Sequence, residues 1–340
     1  MAYDPRREDY QRLGLRFAKT LDGSPADSAA RAFASFGRRF AQSRDSLPQT
    51  DADRAFHLVA LATDLIDYQL PFASDDAAEG LISRGRRLLS EALAIDPACH
   101  DARRMSAAGS KPSFEEYYSF LRAGADEVLA SCTEQLALAR SEMNGDRIGL
   151  AEDIAMRPYR RWLAAASELA LICGHNREAL RLGEQLLEND PEDLSDVRYT
   201  MALALAKLED EPGLDELELR LERTRGNAWS CLARTALAHK RRDYGAAREH
   251  LSRIIKRYPE AVSALIRQSE LPDGVFSRLA VTPFSEDELI LAISEATVLL
   301  QEGFERSGRG VLGLWVADAV AEMHPHAAAL ALAERDGNDR

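Results

Sequence analysis

Apolar residues recur along this chain at helical spacing, and no other regular period is present. Between Trp162 and Cys173 they fall at Leu163, Ala166, Ala170 and Cys173, and between Arg177 and Glu188 at Ala179, Leu182, Leu186 and Leu187. Positions three and four apart share one face of a helix, so each segment predicts a helix with one buried stripe. Gly174-His175-Asn176 lies between them. Gly174 can take a positive φ there, and Asn176 is expected to cap the second helix. The two segments predict a helical hairpin that closes at Asn189-Asp190-Pro191, because Pro191 lacks an N–H and pushes its predecessor toward extended geometry.

The same ending recurs at Pro97 and Pro259. Twelve residues before each of the three prolines stands a small residue, Gly85, Ala179 or Ala247. Five residues before it stands Ala92, Leu186 or Ile254, and four before it Leu93, Leu187 or Ile255. A small residue where two helix axes cross, followed by apolar residues one and two turns later, is what a packed helix pair requires. Other segments read more coarsely. Helices are expected near residues 7–20, 26–43, 51–69 and 76–95, with a loop from Ala107 to Lys111. Ser113 is expected to cap the next helix through Glu116. A last helix is expected near 285–303, opening on the carboxylates of Glu286, Asp287 and Glu288, with a frayed tail after Ala333.

Pro191 and Pro259 stand two tetratricopeptide-repeat lengths apart. Residues 160–193 resemble such a repeat, with Leu163, Gly174, Ala179 and Pro191 on its marker positions. Residues 228–261 resemble another through Tyr244, Ala247 and Pro259, with Arg242 where the helix-turn glycine is usual. Residues 194–227 fill the interval as a degenerate repeat, with Pro212-Gly213 at the expected start of its second helix. The stretch that opens with Met156-Arg157-Pro158-Tyr159 and runs on through Val197-Arg198-Tyr199 is similar to little-characterised bacterial repeat proteins. More distantly it resembles the suppressor-of-tumorigenicity-seven family, and the likeness extends to about residue 316. Leu186, where alanine is usual, and Gly183 depart from the pattern. The resemblance implies an all-α, right-handed superhelical solenoid of antiparallel helix pairs with divergent capping helices at both ends. It also implies a scaffold or adaptor role. The expected organisation is an N-terminal helical region over 1–112, a repeat array over 113–261 and a C-terminal helical cap and tail over 262–340.

In such a stack the first helix of each pair lines a concave groove. By the resemblance, Arg161 and Glu168, then Arg198, then Trp229, His239 and Lys240 face it. Arginines can grip a carboxylate through paired hydrogen bonds, and a tryptophan offers a rigid apolar anchor. Arg161, Arg198, Trp229, His239 and Lys240 are therefore the candidate peptide-binding residues, suited to an acidic or C-terminal segment. The competing account pairs Arg161 and Arg198 with Glu168 or neighbouring acids and packs Trp229 between repeats. Arg157 is expected to cap or brace the preceding helix.

Charge narrows the partner class. With 43 Lys and Arg against 56 Asp and Glu the chain carries a net −13, which disfavours nucleic acid and anionic membrane surfaces. The basic clusters Arg84-Gly85-Arg86-Arg87 and Lys240-Arg241-Arg242 read as solvated charge. No apolar run approaches the roughly 18 residues that span a bilayer. The first residues carry charge where a signal peptide needs an apolar stretch, so the expected location is cytoplasmic.

Motif chemistry is sparse. Cys99, Cys132, Cys173 and Cys231 stand singly, without metal-ligand spacing. His324 and His326 flank Pro325 with no other ligand near, so no metal is expected. Gly308-Arg309-Gly310-Val311-Leu312-Gly313 matches a dinucleotide-loop pattern, but a helix rather than a strand precedes it, and it reads as a helix–helix connection. The expected function is a non-catalytic protein- or peptide-binding adaptor without a cofactor. Two alternatives stand beside it: a regulatory sensor for a small molecule or signalling peptide, and an enzyme with its site in the N-terminal third.

Overall fold

The computed structural model describes residues 4–268, 281–303 and 309–338, and every regular element among them is helical. The described residues form two compact units, one of residues 4–165 and one of residues 166–268, 281–303 and 309–338.

The first unit begins with α1 (Pro5–Thr20), whose Asp4 accepts a hydrogen bond from Arg7 N at 3.0 Å. The expected helix over 26–43 is two helices, α2 (Ala26–Ala34) and α3 (Phe36–Ser43), which meet at Ser35. Phe33, Phe36 and Phe40 lay an aromatic face toward Tyr10 and Phe17 of α1. The α4 helix (Asp51–Thr63) starts with a full capping box between Thr50 and Asp53 and continues into a π-turn, Asp64–Gln69. Next comes α5 (Asp75–Ile95). Gly85 lets α5 approach that turn so closely that a Cβ there would lie 2.6 Å from Ile66 Cδ1. This is the close crossing that the small residue before Pro97 predicted.

No sequence signal marks α6 (His100–Ala108), which overlaps the start of the expected loop. Ser113 caps α7 (Phe114–Glu142) as expected, its hydroxyl accepting from Glu116 N at 3.2 Å. The next helix, α8 (Arg147–Ile172), continues through Pro158, so Met156-Arg157-Pro158-Tyr159 lies inside a helix that begins well before the segment predicted from Trp162. Arg157 braces α8 on α1, donating to Asp153 of its own helix at 2.7 and 3.0 Å and to Gln11 at 2.9 Å. Trp162, fully buried, donates its Nε1–H to Leu121 O at 2.7 Å and rests on Gly124.

The second unit takes the last turns of α8 and then α9 (Asn176–Asn189), α10 (Val197–Lys207), α11 (Glu211–Arg220), α12 (Ala228–Lys240) and α13 (Tyr244–Arg257). Three helix pairs result, α8–α9, α10–α11 and α12–α13, and one connector joins each. Two residues after the first helix ends, Gly174, Glu209 or Arg242 takes a left-handed conformation with φ of 82, 58 or 62°. The N–H of the next residue then reaches back five positions, His175 to Ala170 O, Asp210 to Leu205 O and Asp243 to Ala238 O, at 2.7 to 2.9 Å. These bonds satisfy carbonyls that the helix end leaves without partners.

The residue after the left-handed position is the N-cap. Asp210 and Asp243 accept from Gly213 N and Ala246 N, both at 3.0 Å, and Pro212 sits in the first turn of α11, where its missing N–H costs nothing. In the first pair the N-cap is His175, not Asn176 as expected; Asn176 is already helical. Ala179 and Ala247 are fully buried, and Gly183 gives room to Met201 of α10.

Beyond these pairs lie α14 (Ala261–Arg267), α15 (Glu286–Glu295), α16 (Thr297–Leu300), α17 (Val311–Met323) and α18 (Pro325–Asn338). The helix expected over 285–303 is interrupted at Ala296, and α18 extends as far as Asn338.

Candidate functional site

Three of the five sequence-derived binding residues lie in interior polar networks. Arg161 donates from Nε and Nη2 to both oxygens of Asp101, at 2.7 and 2.5 Å, and from Nη1 to Glu8 at 2.8 Å. Burial alone would raise the Asp101 and Glu8 carboxyls, but Arg161 together with the neighbouring arginines, Arg12 and Arg104 at Asp101 and Arg12 and Arg157 at Glu8, outweighs it and holds both below the ordinary carboxylate range. Arg198 is buried between Asp193 and Asp196, at 2.6 and 2.5 Å, and donates to Tyr199 Oη at 2.8 Å. Trp229 is 1% exposed, stacks on the Tyr199 ring with centroids 3.9 Å apart, and donates Nε1–H to Glu295 at 2.7 Å. The Arg198 guanidinium lies over the half-buried Tyr199 ring, 4.3 Å from its centroid, so Arg198, Tyr199 and Trp229 form one continuous stack.

His239 and Lys240 have a different setting. They end α12, and with Ala236, Arg242 and Tyr244 they form one wall of a pocket of about 350 Å³. Leu299, Glu302, Val311 and Leu312 form the other. The His239 ring lies 5.0 Å from Trp315 and 5.6 Å from Tyr244, and those two rings stack 5.7 Å apart. Burial lowers the His239 pKa, which favours the neutral imidazole.

An apolar stripe adjoins the pocket. Val311 is 64% exposed, Leu314 is also exposed and Trp315 half-buried, and their spacing sets them on one face of α17. Tyr244 at the start of α13 is exposed as well. Stacked aromatics and an aliphatic stripe open to solvent are the composition that protein–protein anchors favour.

Cations edge this apolar ground. Lys207 Nζ lies 3.0 Å from Glu302, and Lys240 Nζ 3.5 Å from Glu302 and 3.7 Å from Glu209. Burial would raise the Glu302 carboxyl, but the hydrogen bond from Lys207 and the charges of both lysines bring it below its usual value. Among the described residues Arg242 makes no ion pair, and its left-handed backbone stands at the pocket edge. Among the described residues, Lys207, Lys240 and Arg242 thus stand against the carboxylates of Glu302 and Glu209, on a chain of net −13.

The glycine motif before α17 is structural. Gly310 N donates to Leu300 O at 2.9 Å, and a Cβ on Gly313 would meet Leu300 O at 2.6 Å, so the start of α17 lies directly on the backbone that ends α16. Gly308 lies outside the described residues. This contact brings Val311 and Leu312 to the pocket. Sequence reasoning missed Trp315, Val311 and Glu302; the available signal was the apolar triplet Val311, Leu314 and Trp315 at helical spacing.

Other chemistry is quiet among the described residues. No group of His, Cys, Asp and Glu could hold a metal ion, and no helix is long and apolar enough to cross a membrane. All four cysteines are free; burial pushes Cys99 up to about 12 and Cys132 and Cys231 up to about 11, which leaves their thiols protonated. No protein-family model matches this chain, and no curated protein matches it.

Proposed function

We propose that this chain is a non-catalytic, tetratricopeptide-like adaptor of the cytoplasm, with its helix pairs stacked as a right-handed solenoid. It binds a partner segment at the pocket between the α12–α13 connector and α17. The recurring connector at Gly174, Glu209 and Arg242 supports the repeat reading, because equal links set equal angles between successive helices. The observation that carries the binding reading is the pocket itself: His239 and Lys240 meet Tyr244, Val311 and Arg242 there, Arg242 making no ion pair among the described residues, beside exposed apolar residues of α17. Charge complementarity selects an acidic segment with apolar side chains, the apolar groups covering Tyr244 and Val311 and a carboxylate meeting Arg242 or Lys240.

The test uses the full chain and tryptophan-free octapeptides of alternating leucine and glutamate, with leucine–lysine peptides as the opposite charge. Trp162 and Trp229 are buried, so a peptide-dependent fluorescence change reports on Trp315. The acidic peptide is expected to bind, and Tyr244→Ala and Arg242→Glu each to weaken it by about fivefold or more. Equal binding of both peptides, or unchanged affinity in both variants, overturns the reading.

A further inference from the structure

Glu302 occupies the pocket in the way a ligand's carboxylate would. Its Oε1 is 3.0 Å from Lys207 Nζ and its Oε2 is 3.5 Å from Lys240 Nζ, yet the side chain is 45% exposed. Lys207 is anchored a second time, through Val298 O at 3.2 Å, whereas Lys240 reaches only the longer contacts to Glu302 and to the more exposed Glu209. Glu302 is therefore held firmly by one lysine and loosely by the other. The loosely held lysine lies beside Arg242 and Tyr244.

We propose that Glu302 is a built-in competitor: a partner's carboxylate takes Lys240 together with Arg242, and Glu302 gives up Lys240 while keeping Lys207. This inference rests on the docking reading above and adds an autoinhibitory contact to it. Two observations favour exchange over a permanent brace. At 3.5 and 3.7 Å, both Lys240 contacts are longer than a close charged hydrogen bond, so the ammonium is incompletely satisfied. Arg242 also stands ready to share an incoming carboxylate, so the exchange trades one loose ion pair for a pair of donors.

The experiment titrates the leucine–glutamate octapeptide into the full wild-type chain, Glu302→Gln and Glu322→Gln, with circular dichroism to show that all three are folded. Glu322→Gln removes the same unit of charge from exposed ground on α17, where Glu322 pairs with Arg248. The expected result is about two- to fivefold tighter binding for Glu302→Gln, the scale of one partly exposed ion pair, no change for Glu322→Gln, and loss of the gain when Lys240→Met is added. Equal tightening in both single variants means general charge relief and overturns the proposal, as does unchanged or weaker binding in Glu302→Gln. Failure of the peptide to bind any of the three overturns the docking reading beneath it. Repeating the titration with the C-terminally amidated peptide and with a leucine–glutamine peptide bearing a free C-terminus assigns the competing carboxylate to a side chain or a chain end.

Discussion

Gly124→Ala sets two effects of opposite sign against each other at one buried contact. Alanine in a helix interior is favoured over glycine by about 1 kcal/mol, because the unfolded chain has less freedom to lose. At Gly124, however, the added Cβ would lie 2.7 Å from Trp162 Cζ2 and 3.5 Å from Cε2 and Cη2. Carbon atoms rest at roughly 3.5 to 4.0 Å, so α7 or the indole must move by about 1 Å. The indole cannot yield easily: it is fully buried, tied by Nε1–H to Leu121 O, and packed against Phe120 at 5.5 Å. Overpacking of this kind costs about 1 to 3 kcal/mol. The net expectation is a loss of about 0 to 2 kcal/mol. Gly80→Ala supplies the reference, since Gly80 lies in α5, is exposed and would place its Cβ near nothing within 4 Å. That variant should be stabilised by up to about 1 kcal/mol, and the difference between the two alanines isolates the clash. Urea unfolding followed by circular dichroism reads both, with the dependence on denaturant checked for constancy. Equal upward shifts of the two midpoints would refute the close approach of α7 and α8.

The same contact logic and the buried ion pairs yield two further expectations. Gly313→Ala drives a Cβ against the backbone carbonyl of Leu300 at 2.6 Å, which no side-chain rotation relieves; a loss of about 2 kcal/mol or more is expected in a thermal melt, and a neutral result would mean that α17 is free to shift on α16. Glu8 and Asp101 have folded-state pKa values below their ordinary ones, so their stabilisation is fully present above about pH 4 and is lost as the pH falls through the folded values. Urea midpoints of the first unit should therefore hold between about pH 5 and 7 and drop below about pH 4. Asp101→Asn, which strands Arg161, should cost about 3 kcal/mol or more at pH 7 and flatten the acid limb.

The helical architecture of the second unit was readable because its signals are local. Each proline-terminated ending, each small residue at a crossing and each turn lies within a few residues of the element it controls. Even the missing glycine at Arg242 misled only slightly, since backbone hydrogen bonds hold the left-handed turn with an arginine in place. The course of α8 was less legible, because a proline removes a helix hydrogen bond and disfavours a helix interior, and the structure nevertheless carries the helix through Pro158. The binding residues were hardest to place. Arg161 meets Asp101 and Glu8, 60 and 153 positions away, and no local pattern announces partners at that distance. His239 and Lys240 came to the pocket by their place at a helix end, while its opposite wall arrives from α16 and α17, well outside the periodic segment.

Glycine, glutamate and arginine all occupy the same left-handed position in the three connectors, although only glycine does so without a penalty of about 1 kcal/mol or more. Geometry and chemistry are therefore inherited separately at these corners. The main chain fixes the bend by itself, and the side chain at its apex is left open to variation. A corner of this sort can acquire or lose a charge without altering the pitch of the helices it joins, so new specificity can arise at the bends while the stack beneath them stays the same.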